Sequence, residues 1–338
     1  MKKILVLFCG GTIAMHKSKT TGALDVQNKQ ISDWLLKLEP RLADIAKITT
    51  EFIDNIDSTN ITHVLWEKLV QKINDNYTRY DGFLITMGTN TLAYASSALS
   101  FALLKIGKPV VLTGAQIPAE GISSDAHNNL VNGVRVASMK LGGVFVVFGS
   151  KIILGCRAKK ISESDLDAFK TFNNRDFGEI SIGIKINDNN HLGHTKKFTP
   201  KNGFDDNVVC LTLIPGLKNE HIIGIINNGV RGLVIRAYGS GDIPYDLLPS
   251  LEYARNKKVP VVVTTQCPGG ATIMGLNDVG LKALHTGVIQ AFDMSMETMS
   301  TKLMWLLKQK TPYEKIQIKM HENMCGEVDI NRAKVFLN

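Results

Sequence analysis

The sequence predicts a two-domain α/β protein in which each domain is an open, mainly parallel sheet flanked by helices. At 338 residues the chain is long for one hydrophobic core. Strand-like apolar runs alternate with helical patterns, which is typical of repeated βαβ units. This alternation stops between residues 188 and 207, where Asn, Asp, His, Lys and Gly follow one another with no apolar period. We therefore predict an N-terminal α/β domain over 1–187, a linker over 188–207 and a C-terminal α/β domain over 208–338.

Individual elements follow from the spacing of apolar residues, which is continuous in buried strands and recurs every three or four residues in helices. In the N-terminal domain the predicted strands cover residues 4–8, 83–86, 110–112 and 144–148. The predicted helices there cover residues 31–38, 64–73, 92–104 and 128–139. In the C-terminal domain we predict strands over 208–214, 232–236 and 259–265, and helices over 221–228, 247–257, 295–308 and 312–320.

Composition and charge exclude several classes of protein. A hydrophobic fraction of 44% with 21% charged residues is ordinary for a soluble globular protein. No run approaches the roughly 20 apolar residues that cross a bilayer, and the apolar start is interrupted too early for a signal peptide. The net charge of +8 is spread along the chain, with no basic run interleaved with aromatic residues. We therefore expect neither a membrane nor a nucleic-acid partner.

The five cysteines stand singly, without the spacing of a zinc site or a disulfide framework. Such a dispersed, odd-numbered set favours a reducing compartment. We expect a cytoplasmic protein that needs no metal or other cofactor.

Two short threonine-bearing turns are the main candidates for chemistry. Gly10-Gly11-Thr12 follows the first predicted strand, and Met87-Gly88-Thr89-Asn90-Thr91 follows the strand over 83–86. Open α/β sheets place their active sites at the carboxyl ends of their strands. Two hydroxyls there suggest a nucleophile, which needs an activating partner, and a group that handles its proton. The alternatives are that the first motif is only a tight turn and that Thr89 is a helix N-cap.

Two further segments have both a functional and a structural interpretation. Lys160 follows the strand over 144–148 and is either a surface lysine or a buried proton acceptor with a lowered pKa. Asp57-Ser58-Thr59-Asn60 is either an N-cap for the next helix or a clamp for a small zwitterion. In the clamp, hydroxyls and amides would hold a carboxylate and Asp57 an ammonium group.

Taken together, these segments resemble the bacterial-type L-asparaginases, especially the cytosolic type I branch, over nearly the whole chain. The family's TGGTIA element appears as CGGTIA at 9–14, its substrate loop as DSTN at 57–60 and its HGTDT element as MGTNT at 87–91. Further matches in order are TGAQIP at 113–118, Ser124-Asp125, RAYGSG at 236–241, TQC at 265–267 and the segment 296–303.

The resemblance implies roles for individual residues. Thr12 would attack the side-chain amide of L-asparagine to give an acyl-enzyme and ammonia, with Thr89, position 90 and Lys160 as the supporting proton relay. The substrate would be bound by Gly11, Asp57, Ser58, Thr59, Gly88, Ala115 and, from a neighbouring subunit, Glu297. It also implies a homodimer or homotetramer and, in some relatives, activation by asparagine at a second site, to which Thr265 and Cys267 would contribute.

The sequence departs from the family near the chemistry. Asn90 stands where the family has an aspartate, so shape is kept but the charge is lost. Met87 replaces a histidine, and Gly22-Ala23 replaces the usual Gly-Tyr step of the loop after Thr12. We expect an asparagine amidohydrolase whose activity is lowered by Asn90. The alternatives are a catalytically silent homologue that binds asparagine, aspartate or a partner, and the amidase subunit of a tRNA-dependent amidotransferase. For the latter we would expect an extra domain before the GGT turn.

Overall fold

The computed structural model describes residues 1–14, 16–17, 24–25, 31–188, 190–194, 196 and 198–331. The chain divides into two compact units, Met1–Asn202 and Gly203–Asn338, so the division falls inside the segment predicted as the linker. Each unit contains a sheet flanked by helices. The predicted fold class, two α/β domains with mainly parallel sheets, is confirmed.

The first unit contains twelve strands and five helices among its described residues. The strands β1 to β12 are Lys2–Phe8, His16–Lys17, Leu24–Asp25, Ala46–Phe52, Gly82–Thr86, Pro109–Thr113, Gly143–Phe148, Lys151–Leu154, Ala158–Lys160, Phe169–Thr171, Gly178–Ile180 and Ile184–Ile186. The helices α1 to α5 are Ile31–Leu38, Leu42–Ile45, His63–Asn76, Leu92–Ala102 and Ala126–Ala137.

Eight of these strands form one sheet in the order β12-β11-β8-β7-β6-β5-β1-β4. The five strands from β7 to β4 in this order are mutually parallel, and the three at the other edge are antiparallel. Every residue of β5 and β6 is buried, as expected for parallel strands covered by helices on both faces.

The second unit has a smaller sheet with the order β13-β14-β15-β16, all parallel. These strands are Val208–Thr212, Gly232–Ala237, Val261–Thr265 and Ile289–Gln290. Its helices α6 to α10 are Asn219–Asn227, Leu248–Asn256, Asp278–His285, Met296–Lys308 and Tyr313–His321. A search of the described part of the chain finds no helix with the length and apolar character that a membrane span requires.

The predicted elements occur in the structure with ends shifted by a few residues. The elements that were not predicted from the sequence are the strands β2 to β4, β8 to β12 and β16 and the helices α2 and α8. Edge strand β4 reads AKITTEF, and only its first residue is buried, so it has no apolar run to recognise. Three-residue strands such as β11 are too short for an alternating pattern to stand out.

Candidate active site

The strand order brings four turns to one edge of the large sheet. Strands β4, β1, β5 and β6 are neighbours and parallel, so the turns that follow them lie side by side. Phe8 pairs with Thr86, and Thr86 in turn pairs with Thr113, so these strands end at the same level. The two threonine-bearing turns are therefore adjacent, as predicted for residues at the carboxyl ends of parallel strands.

Gly11 and Gly88 allow the two turns to approach each other closely. Gly11 has φ +90°, and a Cβ built there would lie 2.6 Å from the carbonyl carbon of Met87. A Cβ on Gly88 would lie 2.6 Å from Ser58 Oγ. Real Cβ atoms do not come this close, so only glycine lets these three segments meet.

The turns enclose a small, open cavity of about 190 Å³. This is below the range of about 300–1,000 Å³ that is usual for drug-sized ligands, so the cavity suits a smaller molecule. Its lining residues are Gly11, Thr12, Asp57, Ser58, Gly88, Thr89, Asn90, Gln116, Lys160 and Glu163. Eight of the residues predicted from the sequence are thus brought to one place.

Lys160 and Thr89 form a hydrogen-bonded pair in this cavity. Lys160 is the last residue of β9, and its Nζ donates to Thr89 Oγ1 at 2.8 Å. Thr89 Oγ1 in turn donates to Gln116 Oε1 at 3.0 Å. Within the described segment around the start of α4, no side-chain capping bond is present. The N-cap interpretation of Thr89 is therefore wrong, since its hydroxyl is used inside the cavity.

The environment of Lys160 makes it easier to deprotonate than an exposed lysine. Its side chain is only half-exposed, and this burial lowers the pKa of the Lys160 ammonium below its ordinary value. The Glu163 carboxylate partly offsets the effect by raising the same pKa. A lysine with a lowered pKa can accept a proton, which an exposed surface lysine does less readily near neutral pH.

Asn90 connects the lysine to the substrate loop predicted over 57–60. Its Oδ1 accepts from Lys160 Nζ at 2.9 Å, and its Nδ2 donates to Thr59 Oγ1 at 3.3 Å. Its backbone N–H donates to Ser58 Oγ at 3.3 Å. The carboxamide thus satisfies Lys160 as an acceptor but brings no negative charge to it.

Asp57 caps a short turn and not the helix α3 that follows, and its role in binding an ammonium group stays a prediction. Its Oδ1 accepts from the backbone N–H of Thr59 at 2.7 Å, which caps the 3-10 turn Ser58–Asn60. The same residue also lines the cavity. The capping bond therefore holds the carboxylate in position beside the cavity.

Gln116 and Glu163 line the cavity but were not predicted as site residues. Gln116 lies in the turn after β6, within a motif that the sequence analysis noted only as a family match. Its neighbour Ala115, predicted to bind substrate, is 1% exposed and packs in the hydrophobic core of this unit. Ala115 does not line the cavity, and its role in binding stays a prediction.

The remaining predicted residues lie in the second unit or outside the described residues. Glu297 is in the first turn of α9, and Thr265 ends β15, where its Oγ1 accepts from the backbone N–H of Cys267 at 3.0 Å. The roles assigned to these three residues remain predictions. Gly22-Ala23 falls outside the described residues.

Comparisons with known proteins agree with this architecture. The family model "Asparaginase, N-terminal" matches residues 3–192, and "Glutaminase/Asparaginase C-terminal domain" matches residues 207–320. An L-asparaginase from Thermococcus kodakarensis is 38% identical, with 96% of this chain and 99% of the relative aligned. One of the subunits of a glutamyl-tRNA(Gln) amidotransferase from Pyrococcus abyssi is 31% identical, covering 97% of this chain and 77% of that protein.

Solved structures give the same result. The thermostable L-asparaginase of Thermococcus kodakarensis superposes with a TM-score of 0.87 at 36% identity, over 97% of this chain and 99% of that one. A probable cytoplasmic L-asparaginase from Campylobacter jejuni gives a TM-score of 0.80 at 28% identity, over 96% and 100% of the two chains. From the matches to both domains and to full-length relatives, the chain belongs to the asparaginase family and is an amidohydrolase.

Proposed function

We propose that the chain hydrolyses L-asparagine to L-aspartate and ammonia through an acyl-enzyme on Thr12. The observation that carries this proposal is that Thr12 and the hydrogen-bonded pair Lys160–Thr89 line one cavity of about 190 Å³. A threonine hydroxyl is a weak nucleophile until a base takes its proton, and a lysine with a lowered pKa is a suitable final acceptor. The relative from Thermococcus kodakarensis, named L-asparaginase, supports the choice of substrate.

The reaction proceeds in two steps, the formation of an ester on Thr12 and the hydrolysis of that ester. Thr12 Oγ1 attacks the side-chain amide carbon and loses its proton to the Lys160–Thr89 pair. The C–N bond then breaks, and the leaving nitrogen takes that proton from the Lys160–Thr89 pair to depart as ammonia. Water next attacks the Thr12 ester, giving aspartate and restoring the hydroxyl. Backbone N–H groups of the glycine-rich turns are candidates to stabilise the oxyanion formed in each step.

The α-groups of the substrate would be bound by the capped loop after β4. Ser58 lines the cavity and offers its hydroxyl to the α-carboxylate, and Asp57 offers a carboxylate to the α-ammonium group. Thr59 does not line the cavity and would reach the α-carboxylate from its position beside Asn90. In this proposal the site is completed by Glu297 of a neighbouring subunit, so the working enzyme is a homodimer or homotetramer. We place it in the cytoplasm.

Asn90 should make this enzyme weaker than one with a carboxylate at the same position. In Asn90→Asp, a carboxylate would replace the neutral oxygen that lies 2.9 Å from Lys160 Nζ and beside the substrate loop. A charge contact of about 4 Å is worth on the order of 1–4 kcal/mol in such a site, and each ~1.4 kcal/mol is tenfold in rate. We expect Asn90→Asp to raise kcat/KM for L-asparagine about tenfold or more, mainly through a lower KM.

The measurement is ammonia release from L-asparagine by the original chain and by the Asn90→Asp variant. Weak release from the first and stronger release from the second supports the proposal. No release from either, at high enzyme concentration, would favour the silent homologue. A chain that works as the amidase of a tRNA-dependent amidotransferase would instead release ammonia efficiently only when supplied with its amidotransferase partner and charged tRNA. That mixture is therefore the third arm of the experiment, suggested by the relative from Pyrococcus abyssi.

The pH dependence should report the protonation of Lys160. Since the neutral amine is the active form, kcat/KM should rise with pH through the lowered pKa of Lys160. Glu163→Gln removes a charge that raises this pKa, so the acid limb of the profile should move to lower pH. Asp165→Asn is the matched control, because Asp165 lies two residues away, is exposed and does not line the cavity. An unmoved limb in Glu163→Gln would contradict the assignment of that limb to Lys160.

A further inference from the structure

Gln116 lies at the centre of a network that the proposed chemistry does not account for. The backbone of its turn is fixed by Asp125, whose Oδ1 and Oδ2 each accept from the backbone N–H of Gln116 at 3.0 Å. Asp125 Oδ1 also accepts from the backbone N–H of Ile117 at 3.0 Å. Asn129 connects Asp125 to the same turn, since its Nδ2 donates to Asp125 Oδ2 at 3.0 Å and to Gly114 O at 2.9 Å.

The side chain of Gln116 is oriented by acceptors that cannot donate. Its Nε2 donates to the backbone carbonyls of Glu163 at 2.9 Å and Asp165 at 3.3 Å. Because carbonyl oxygens only accept, the NH₂ group must face them, and Oε1 must face Thr89. The contact of 3.0 Å between Oε1 and Thr89 Oγ1 then has one possible donor, the hydroxyl of Thr89.

This orientation decides the direction of the next hydrogen bond. Thr89 has one hydroxyl proton, and donating it to Gln116 leaves only lone pairs to face Lys160 Nζ at 2.8 Å. Lys160 must therefore donate to Thr89 rather than accept from it. Asn90 Oδ1 also accepts a hydrogen bond from Lys160, at 2.9 Å. Lys160 is therefore the donor in its hydrogen bonds to both Thr89 and Asn90.

We propose that Gln116 is a positioning residue whose amide fixes the direction of the Thr89 hydroxyl and so keeps Lys160 as the donor of the pair. Gln116 acts through its contact with the Thr89 hydroxyl. This inference rests on the proposed function, because a neutral Lys160 amine that directs its two N–H groups to Thr89 and Asn90 keeps its lone pair to receive the proton of Thr12. It also gives a reason for the fixed turn at 114–118, whose backbone holds the amide in reach of both Thr89 and the segment 163–165.

The inference can be tested through the acid limb of the pH profile. In Gln116→Met the shape is nearly kept, but Thr89 is free to donate to the neutral amine of Lys160. A hydrogen bond to the neutral form favours it, so the limb should move to lower pH by about 0.5–1 unit, with a fall in kcat. In Gln116→Glu an acceptor still faces Thr89 and a negative charge is added near Lys160, so the limb should move to higher pH.

The charged groups that line the cavity with Lys160 are Asp57 and Glu163, and both stay unchanged in these variants. The controls are Gln71→Met and Gln71→Glu, since Gln71 is an exposed residue of α3 that bonds to Asp75 outside the cavity. Opposite shifts in the two Gln116 variants, and none in the controls, would support the proposal. Equal activity loss with an unmoved limb would show that Gln116 has only a structural role. If Gln116→Met does not fold, the shift of the acid limb in Gln116→Glu alone tests the positioning role of Gln116.

A Lys160→Met variant separates this inference from the proposed function. If Lys160→Met keeps full activity, the proton relay itself is wrong. If Lys160→Met is inactive while both Gln116 variants keep the original limb, only the role of Gln116 is overturned.

Discussion

Thr12→Ala should lower kcat for L-asparagine by about 10³-fold or more, with the protein folded and KM little changed. Thr12 lies in the 3-10 turn Thr12–Ala14, directly after the two glycines that follow β1, and lines the cavity with Lys160 and Thr89. Without its hydroxyl no acyl-enzyme can form. The measurement is steady-state ammonia release, together with mass spectrometry of the acid-quenched enzyme for an ester of one aspartyl group.

Two matched variants make this result specific. Thr12→Ser keeps the hydroxyl and should retain substantial activity and the trapped ester. Thr49→Ala removes a hydroxyl from an exposed position of the edge strand β4 and should change nothing. Full activity in Thr12→Ala, or an ester that persists in it, would assign the nucleophile to another residue.

The second large effect concerns stability and lies in the second unit. Lys302 on α9 and Glu327 form an ion pair of 2.6 Å with both side chains fully buried. Lys302 Nζ also donates to the carbonyls of Met320 and Glu322, at 2.9 and 2.7 Å. Breaking a buried pair leaves an uncompensated charge, so Lys302→Met should lower the free energy of unfolding by about 3–5 kcal/mol. Urea unfolding followed by circular dichroism measures this.

A nearby exposed pair provides the comparison. Lys319 and Glu322 lie 2.6 Å apart, but their side chains are 43% and 49% exposed. Lys319→Met should therefore cost no more than about 1 kcal/mol. Equal effects of the two substitutions would contradict the importance of burial.

The same pair predicts a loss of stability in acid. Burial raises the pKa of Glu327, but the Lys302 ammonium and the backbone N–H groups of Met324 and Cys325 outweigh it, so the pKa is below its ordinary value. A lowered folded-state pKa contributes stability above the unfolded pKa, which is lost as the pH falls through the folded one. In Lys302→Met, the free energy of unfolding should no longer show the decrease in acid that comes from protonation of Glu327.

The part of the site that follows strands was predictable from the sequence. A turn after a parallel strand lies at the carboxyl edge whatever the order of the strands, so Thr12 and Thr89 were placed correctly at one sheet edge by pattern alone. The residues alone left two interpretations open for Asp57 and for Lys160, and only the role of Asn90 depends on the family resemblance; the structure brings all three residues to the same cavity.

The contacts that Gln116 and Glu163 make could not be predicted in this way. Gln116 reaches Thr89 because β6 lies next to β5, and its bond to the Glu163 carbonyl depends on the path of the chain after β9. Neither the strand order nor that path leaves a periodic signal in the residues. The edge strand β4 was missed for a related reason, since its alternation of polar residues carries no continuous apolar run.

The contact between the turns of Gly11 and Gly88 limits how this enzyme can change. No side chain separates the two backbones at this contact, so the spacing of the turns that carry Thr12 and Thr89 cannot be changed by exchanging a side chain there. We therefore expect differences in substrate preference to arise from the other residues that line the cavity, in the loop 57–60 and the segment that carries Glu163. The two glycines therefore keep the spacing of the central turns unchanged, while the residues around them can differ.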